Sequence, residues 1–174
     1  NYLDATAQEP KLPAIGIDTA REGFRRKSMS LAGASRALPI TIADYVIGGP
    51  SRTLPVRVYR KSDVPGPALL FMHGGGFVLG DLDTHDGLCR ELCYRAQCTV
   101  VAVDYSLAPE HPFPTAIDDA FLAHQWLREW GAVDQQPIAV GGDSAGAALA
   151  AALALQSRES GAGLLCGQLL IYPT

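Results

Sequence analysis

The sequence predicts an α/β protein built on a mostly parallel sheet with helices on both faces. Two runs, Ala68-Leu69-Leu70-Phe71-Met72 and Thr99-Val100-Val101-Ala102-Val103, are apolar at successive positions, as strands covered on both sides must be. Segments with helical apolar spacing alternate with such runs, which calls for right-handed crossovers. Residues 138–150 then pass from a short apolar run through Gly142-Asp143-Ser144-Ala145-Gly146 into an alanine-rich stretch. That is the order of strand, sharp turn and helix.

The 174 residues suffice for one domain, which at this size buries roughly 70% of the unfolded chain's surface. With 48% hydrophobic and 18% charged residues the composition is that of a soluble globular chain. A net charge of -4 and the lack of a basic patch argue against nucleic acid as a partner. No unbroken apolar stretch is long enough to span a bilayer, and Asn1-Tyr2-Leu3-Asp4 lacks the order of a signal peptide, so no membrane span and a cytoplasmic location are expected. The first residue is not Met, so a few residues are expected to be missing ahead of it.

Residues 1–38 hold Pro10, Pro13 and the charges Arg21, Glu22, Arg25, Arg26 and Lys27 among scattered apolar positions. They read as one or two short helices outside the sheet, with the charges on a solvated face, and as a lid. Alternation over 40–46 and 54–59, around Gly48-Gly49-Pro50-Ser51, predicts an edge hairpin. After the strand at 68–72, Leu88, Leu92 and Ala96 recur every four residues, predicting a helix capped by Thr84 or Asp86. A strand at 99–104 follows, and three prolines keep 105–114 irregular. Thr115 to Trp130 reads as a helix stopped by Gly131, with Ile117, Ala120, Phe121 and Leu127 turned inward. The strand at 138–141, a helix to about Ser157 and a strand over 164–172 complete the pattern.

Cysteines stand at 89, 93, 98 and 166. Without a Cys-x-x-Cys pair or a histidine at ligand spacing they read as reduced buried thiols, with no disulfide and no metal site. No cofactor is called for.

Ser144 is the candidate nucleophile. At the tip of a tight strand-to-helix turn a serine has strained backbone angles, and Gly142 and Gly146 leave room where a Cβ would collide. The turn aims the Ala145 N–H, at the positive end of a helix, toward whatever Ser144 attacks. By itself the pattern also fits a small-residue turn with no chemistry. A second cluster, His73-Gly74-Gly75-Gly76, closes the strand at 68–72 with amides free of Cβ hindrance, the form of loop that supplies oxyanion donors; the alternative is a flexible surface loop.

Four motifs taken together carry a resemblance. His73-Gly74-Gly75-Gly76-Phe77, Gly80-Asp81-Leu82-Asp83-Thr84-His85-Asp86, Asp104-Tyr105-Ser106-Leu107-Ala108-Pro109-Glu110 and Gly142-Asp143-Ser144-Ala145-Gly146 resemble the hormone-sensitive-lipase-like branch of the α/β-hydrolases, in order and from about residue 40 onward. The resemblance implies the α/β-hydrolase fold, incomplete here at its C-terminal side. Residues 1–38 would be cap helices, and 39–174 the N-terminal portion of the catalytic domain. It implies a carboxylesterase acting on a small-molecule ester with a short acyl group. Ser144 matches the nucleophile; Gly75, Gly76 and Ala145 match the oxyanion donors, and Gly74 completes the oxyanion hole by shaping its loop. His73 holds that loop and is not the base.

Ser106 stands where many relatives carry Arg, and Ala147 where many carry Gly. The larger departure is the end at Thr174, since in the family the triad acid and then the histidine follow later strands. His111 shares the sheet edge with Ser144 but matches a packing position, His85 and His124 read as structural or exposed, and Asp143 points away from the base's side. Two readings stay open: an esterase whose acid and base lie in another segment or chain, or an inactive half-domain or binding fragment. The apolar strand at 167–172 would expose an edge, which calls for cover by the missing C-terminal segment or by a dimer partner.

Overall fold

The computed structural model describes residues 16–32, 37–48, 53–63, 65–131, 133, 136–161 and 165–174. The expected turn at 49–51 and the first part of the expected lid lie outside the described residues. In chain order the elements are α1 (Ile17–Ala32), β1 (Thr41–Gly48), β2 (Thr53–Arg60), β3 (Ala68–Met72), α2 (Asp86–Ala96), β4 (Thr99–Val103), α3 (Thr115–Glu129), β5 (Ile138–Asp143), α4 (Ala145–Ser160) and β6 (Gly167–Ile171).

The six strands form one sheet in the order β1-β2-β4-β3-β5-β6. β3 pairs in parallel with both β4 and β5, and β5 with β6, while β1 and β2 make an antiparallel margin against β4. The alternation of side chains along β3 divides the core. Leu70 and Met72 join Val101, Val103, Val140, Leu149 and Leu153 on the face covered by α3 and α4. Leu69 and Phe71 join Val100, Tyr59, Cys89 and Cys93 on the face covered by α2. Because β3 and β4 are buried at every position, each large aliphatic side chain there contributes roughly 1.5–3 kcal/mol of burial. β1 and β6 form the two edges, and β6 keeps Leu169 and Leu170 about 40% exposed.

α2 turns Cys89 and Cys93 inward, as expected of buried thiols, and leaves Leu88 38% exposed. Several expectations need correction. The N-cap of α2 is His85 rather than Thr84 or Asp86. Thr84 is engaged instead with Asp81: its amide donates to the Asp81 carboxylate, and its hydroxyl accepts the Asp81 N–H and donates to the Asp81 carbonyl. Of the four thiols, Cys98 is half-buried and Cys166 exposed. α3 ends with Trp130 in an extended conformation, so Gly131 does not supply a left-handed stop. No described helix is long and apolar enough to cross a membrane.

Candidate active site

The two glycine motifs leave the sheet side by side because β3 and β5 are neighbours with Met72 opposite Gly142. Sites on such sheets gather at the carboxyl ends of strands, next to a change in strand order.

Ser144 joins β5 to α4 with φ 50° and ψ -121°, a conformation few non-glycine residues adopt. The surroundings hold it there. Its amide donates to the Ile171 carbonyl at 2.9 Å, and its own carbonyl accepts the Ala147 and Ala148 amides at 3.0 and 3.2 Å. A Cβ on Gly146 would overlap the Met72 carbonyl, and one on Gly142 would overlap the backbone of Gly146. Both flanking glycines are therefore steric requirements of the turn, as expected. Ser144 stays partly accessible between buried neighbours.

The loop after β3 is fixed just as tightly. Gly75 has φ 133°, its carbonyl accepts the Val78 and Leu79 amides at 3.1 and 2.9 Å, and a Cβ there would collide with the Leu79 carbonyl. Gly76 and Phe77 follow with φ of 63° and 64°. The Gly74 amide donates to Asp143 Oδ1 at 2.9 Å, so it serves the loop and not a ligand. The Gly75, Gly76 and Ala145 amides have no acceptor among the described residues.

Asp143 is the positioning residue that the sequence reading passed over. One carboxylate, adjoining the elbow, takes the Gly74 amide, lies 3.2 Å from His85 Nε2 and accepts the Tyr172 hydroxyl at 3.4 Å. Burial alone would raise its pKa, but the His85 hydrogen bond and charge together with the Gly74 amide outweigh it and hold the carboxyl below its ordinary range. The signal available in the sequence was a carboxylate between Gly142 and Ser144, at the end of a fully apolar strand.

His73 lies 3% exposed, stacked on Tyr105 at 4.4 Å, with Nδ1 2.9 Å from the Gly74 carbonyl. The Tyr105 hydroxyl donates to the His73 carbonyl at 2.7 Å. His124 is buried 3.2 Å from the Ser157 hydroxyl. Among the described residues no histidine hydrogen-bonds Ser144.

Burial pushes the His73 imidazole down to about 4, the Gly74 carbonyl opposing only in part. Since this pKa is depressed on folding, the unfolded chain binds the proton first on acidification. The associated stability is complete above about pH 6.5 and is lost as pH falls toward 4, amounting to about 3 kcal/mol. Denaturant unfolding between pH 7 and 4 is expected to show this slope, and His73→Phe to flatten it. An unaltered slope in the variant would assign the acid sensitivity elsewhere.

α1 lies against the loop after β3 and the loop after β4. Arg21 donates from Nε to the Val78 carbonyl at 2.9 Å, from Nη2 to the Ala108 carbonyl at 3.1 Å, and pairs with Glu110 at 2.7 Å. Arg25 pairs with Asp81 and Asp83.

A strand-elbow-helix with a glycine loop on the neighbouring parallel strand defines a class, and comparison agrees with it. A family model described as alpha/beta hydrolase fold matches residues 69–174, and the chain belongs to that family. Among curated relatives, Esterase LipI of Mycobacterium tuberculosis is 42% identical over 92% of this chain and 52% of its own length. The ethyl acetate hydrolase of Pseudomonas putida is 45% identical over 92% of this chain and 53% of its own. A solved esterase of Pyrobaculum calidifontis superposes with a TM-score of 0.91 at 40% identity, covering 99% of this chain and 57% of that one. These relatives support the hormone-sensitive-lipase-like resemblance. The chain spans about half the length of the curated relatives it matches.

Proposed function

We propose that this chain is the nucleophile-bearing portion of a carboxylic ester hydrolase. Ser144 attacks the ester carbonyl, and the amides of Gly75, Gly76 and Ala145 stabilise the resulting oxyanion. Asp143 aligns the two halves of the site by tying Gly74 to the elbow. Residues 1–38 act as a cap over the site, and residues 39–174 contribute the N-terminal portion of the catalytic domain. The observation that carries the reading is the positive φ of Ser144, enforced by glycines without room for a Cβ and set beside a loop in which the Gly75 and Gly76 amides have no acceptor among the described residues.

The triad acid and base come from segments beyond these residues, because none of the four histidines bonds Ser144. The same segments cover the edge of β6. Without them the 174 residues turn over slowly, since loss of a triad histidine costs on the order of 10⁶ in turnover.

A fluorophosphonate probe applied to active full-length protein is expected to label Ser144, located by peptide mapping. Label on any other serine would refute the assignment.

A further inference from the structure

We propose that Arg21 is a positioning residue for the oxyanion loop, its guanidinium holding the carbonyls of the two residues whose amides hold that loop's own carbonyls. The inference rests on the esterase reading and gives α1 a part in the rate, beyond covering the site.

The loop needs support from outside. Gly75, Gly76 and Phe77 follow one another with φ of 133°, 63° and 64°, and such a run persists only where the surroundings over-determine it. Two of its carbonyls are held. That of Gly75 accepts the Val78 and Leu79 amides at 3.1 and 2.9 Å, and that of Phe77 accepts the Ala108 amide at 2.8 Å. In a planar trans peptide the C=O and N–H point opposite ways, so fixing the Gly75 carbonyl also fixes the direction of the Gly76 N–H, one of the proposed oxyanion donors.

Val78 and Ala108 turn their own carbonyls to the same group. Arg21 donates from Nε to Val78 at 2.9 Å and from Nη2 to Ala108 at 3.1 Å. Nη1 and Nη2 also donate to the two carboxylate oxygens of Glu110 at 2.8 and 2.7 Å, a bidentate pairing that fixes the plane of the guanidinium. One planar cation therefore joins the turn at 75–79 to the loop after β4. A lysine ammonium, with a single donor atom, lacks the fork that meets these three partners at once. Arg25, one turn further along α1, pairs with the Asp81 and Asp83 carboxylates. It supplies the control, because its loss weakens the hold on α1 while leaving the Val78 and Ala108 carbonyls their donor.

The test uses the full-length protein with p-nitrophenyl acetate. Arg21→Ala, which places a strong helix former in α1, is expected to lower kcat by about tenfold or more, since the oxyanion amides are loosened and not removed. KM is expected to stay within about twofold, because the oxyanion forms only on the way to the transition state. Arg21→Lys is expected to fall as far, and Arg25→Ala by less than about threefold. Guanidinium chloride at about 20 mM, far below the molar concentrations that unfold proteins, is expected to raise kcat of Arg21→Ala by about threefold or more and to leave wild type and Arg25→Ala unchanged. Sodium chloride at the same concentration is expected to restore nothing. A kcat for Arg21→Ala within about threefold of wild type would overturn the proposal. So would the full wild-type rate in Arg21→Lys, or an equal loss in Arg21→Ala and Arg25→Ala without rescue by guanidinium. Ser144-dependent turnover by wild type would leave the esterase reading standing in any of these events. Absence of Ser144-dependent turnover would overturn both.

Discussion

Ser144→Ala in the full-length protein is expected to lower turnover of p-nitrophenyl acetate by on the order of 10⁶ while the fold is retained. The residue left behind is smaller than the original and occupies a position that is already partly open, so no buried contact is destroyed. What disappears is the Ser144 hydroxyl, the proposed nucleophile. The proposed oxyanion amides are left in place, and a residual rate of roughly 10³–10⁴ over water is expected. Steady-state kinetics with an active-site titrant, alongside circular dichroism, decide the matter. A variant keeping more than about one hundredth of wild-type turnover would mean that the nucleophile lies elsewhere.

Gly75→Val is expected to cost 10²–10³ in turnover, the loss associated with removal of one oxyanion donor. Gly75 has φ 133°, and its missing Cβ leaves the space taken by the Leu79 carbonyl. Valine meets both obstacles together, and the backbone must move. The loop cannot swing as a unit, because its first residue is held by Asp143 and its far end by the bond from the Ala108 amide to the Phe77 carbonyl. Displacement therefore falls on the Gly75 and Gly76 amides themselves. Since these residues lie outside the sheet, the unfolding midpoint should change far less than the rate. Turnover within threefold of wild type in a folded variant would show that this loop does not face the reacting carbonyl.

The parts of the fold that were legible in the sequence are those in which burial and periodicity coincide. β3 and β4 are apolar throughout and buried throughout, and residues 142–146 declared the elbow through steric needs that the structure confirms atom by atom. On α2, Cys89 and Cys93 were legible as buried thiols, while the four-residue spacing of Leu88, Leu92 and Ala96 marked the helix without showing that Leu88 is left partly in water. Asp143 was hidden. Its role depends on the Gly74 amide, 69 residues away in the chain, and strand adjacency rather than any local pattern brings the two together. Arg21 is similar: the arginine cluster read as a solvated face, yet this side chain reaches two backbone carbonyls in separate loops.

The pairing of Met72 with Gly142 has a consequence for how this site can vary. Between the two strands the chain makes a long excursion through α2, β4 and α3, and its length has no effect on where the strand ends meet. Insertions between α2 and β4 or between α3 and β5, away from the glycine loop and the loop after β4, thus leave the meeting of the strand ends unchanged. Slippage between β3 and β5 is the opposite case, because it comes only in whole residues, each about 3.3 Å, and one step carries every side chain to the other face. Alignment of nucleophile and oxyanion loop is in this sense a digital quantity: the hydrogen-bond ladder offers the correct setting or a wrong one, with no graded series between them.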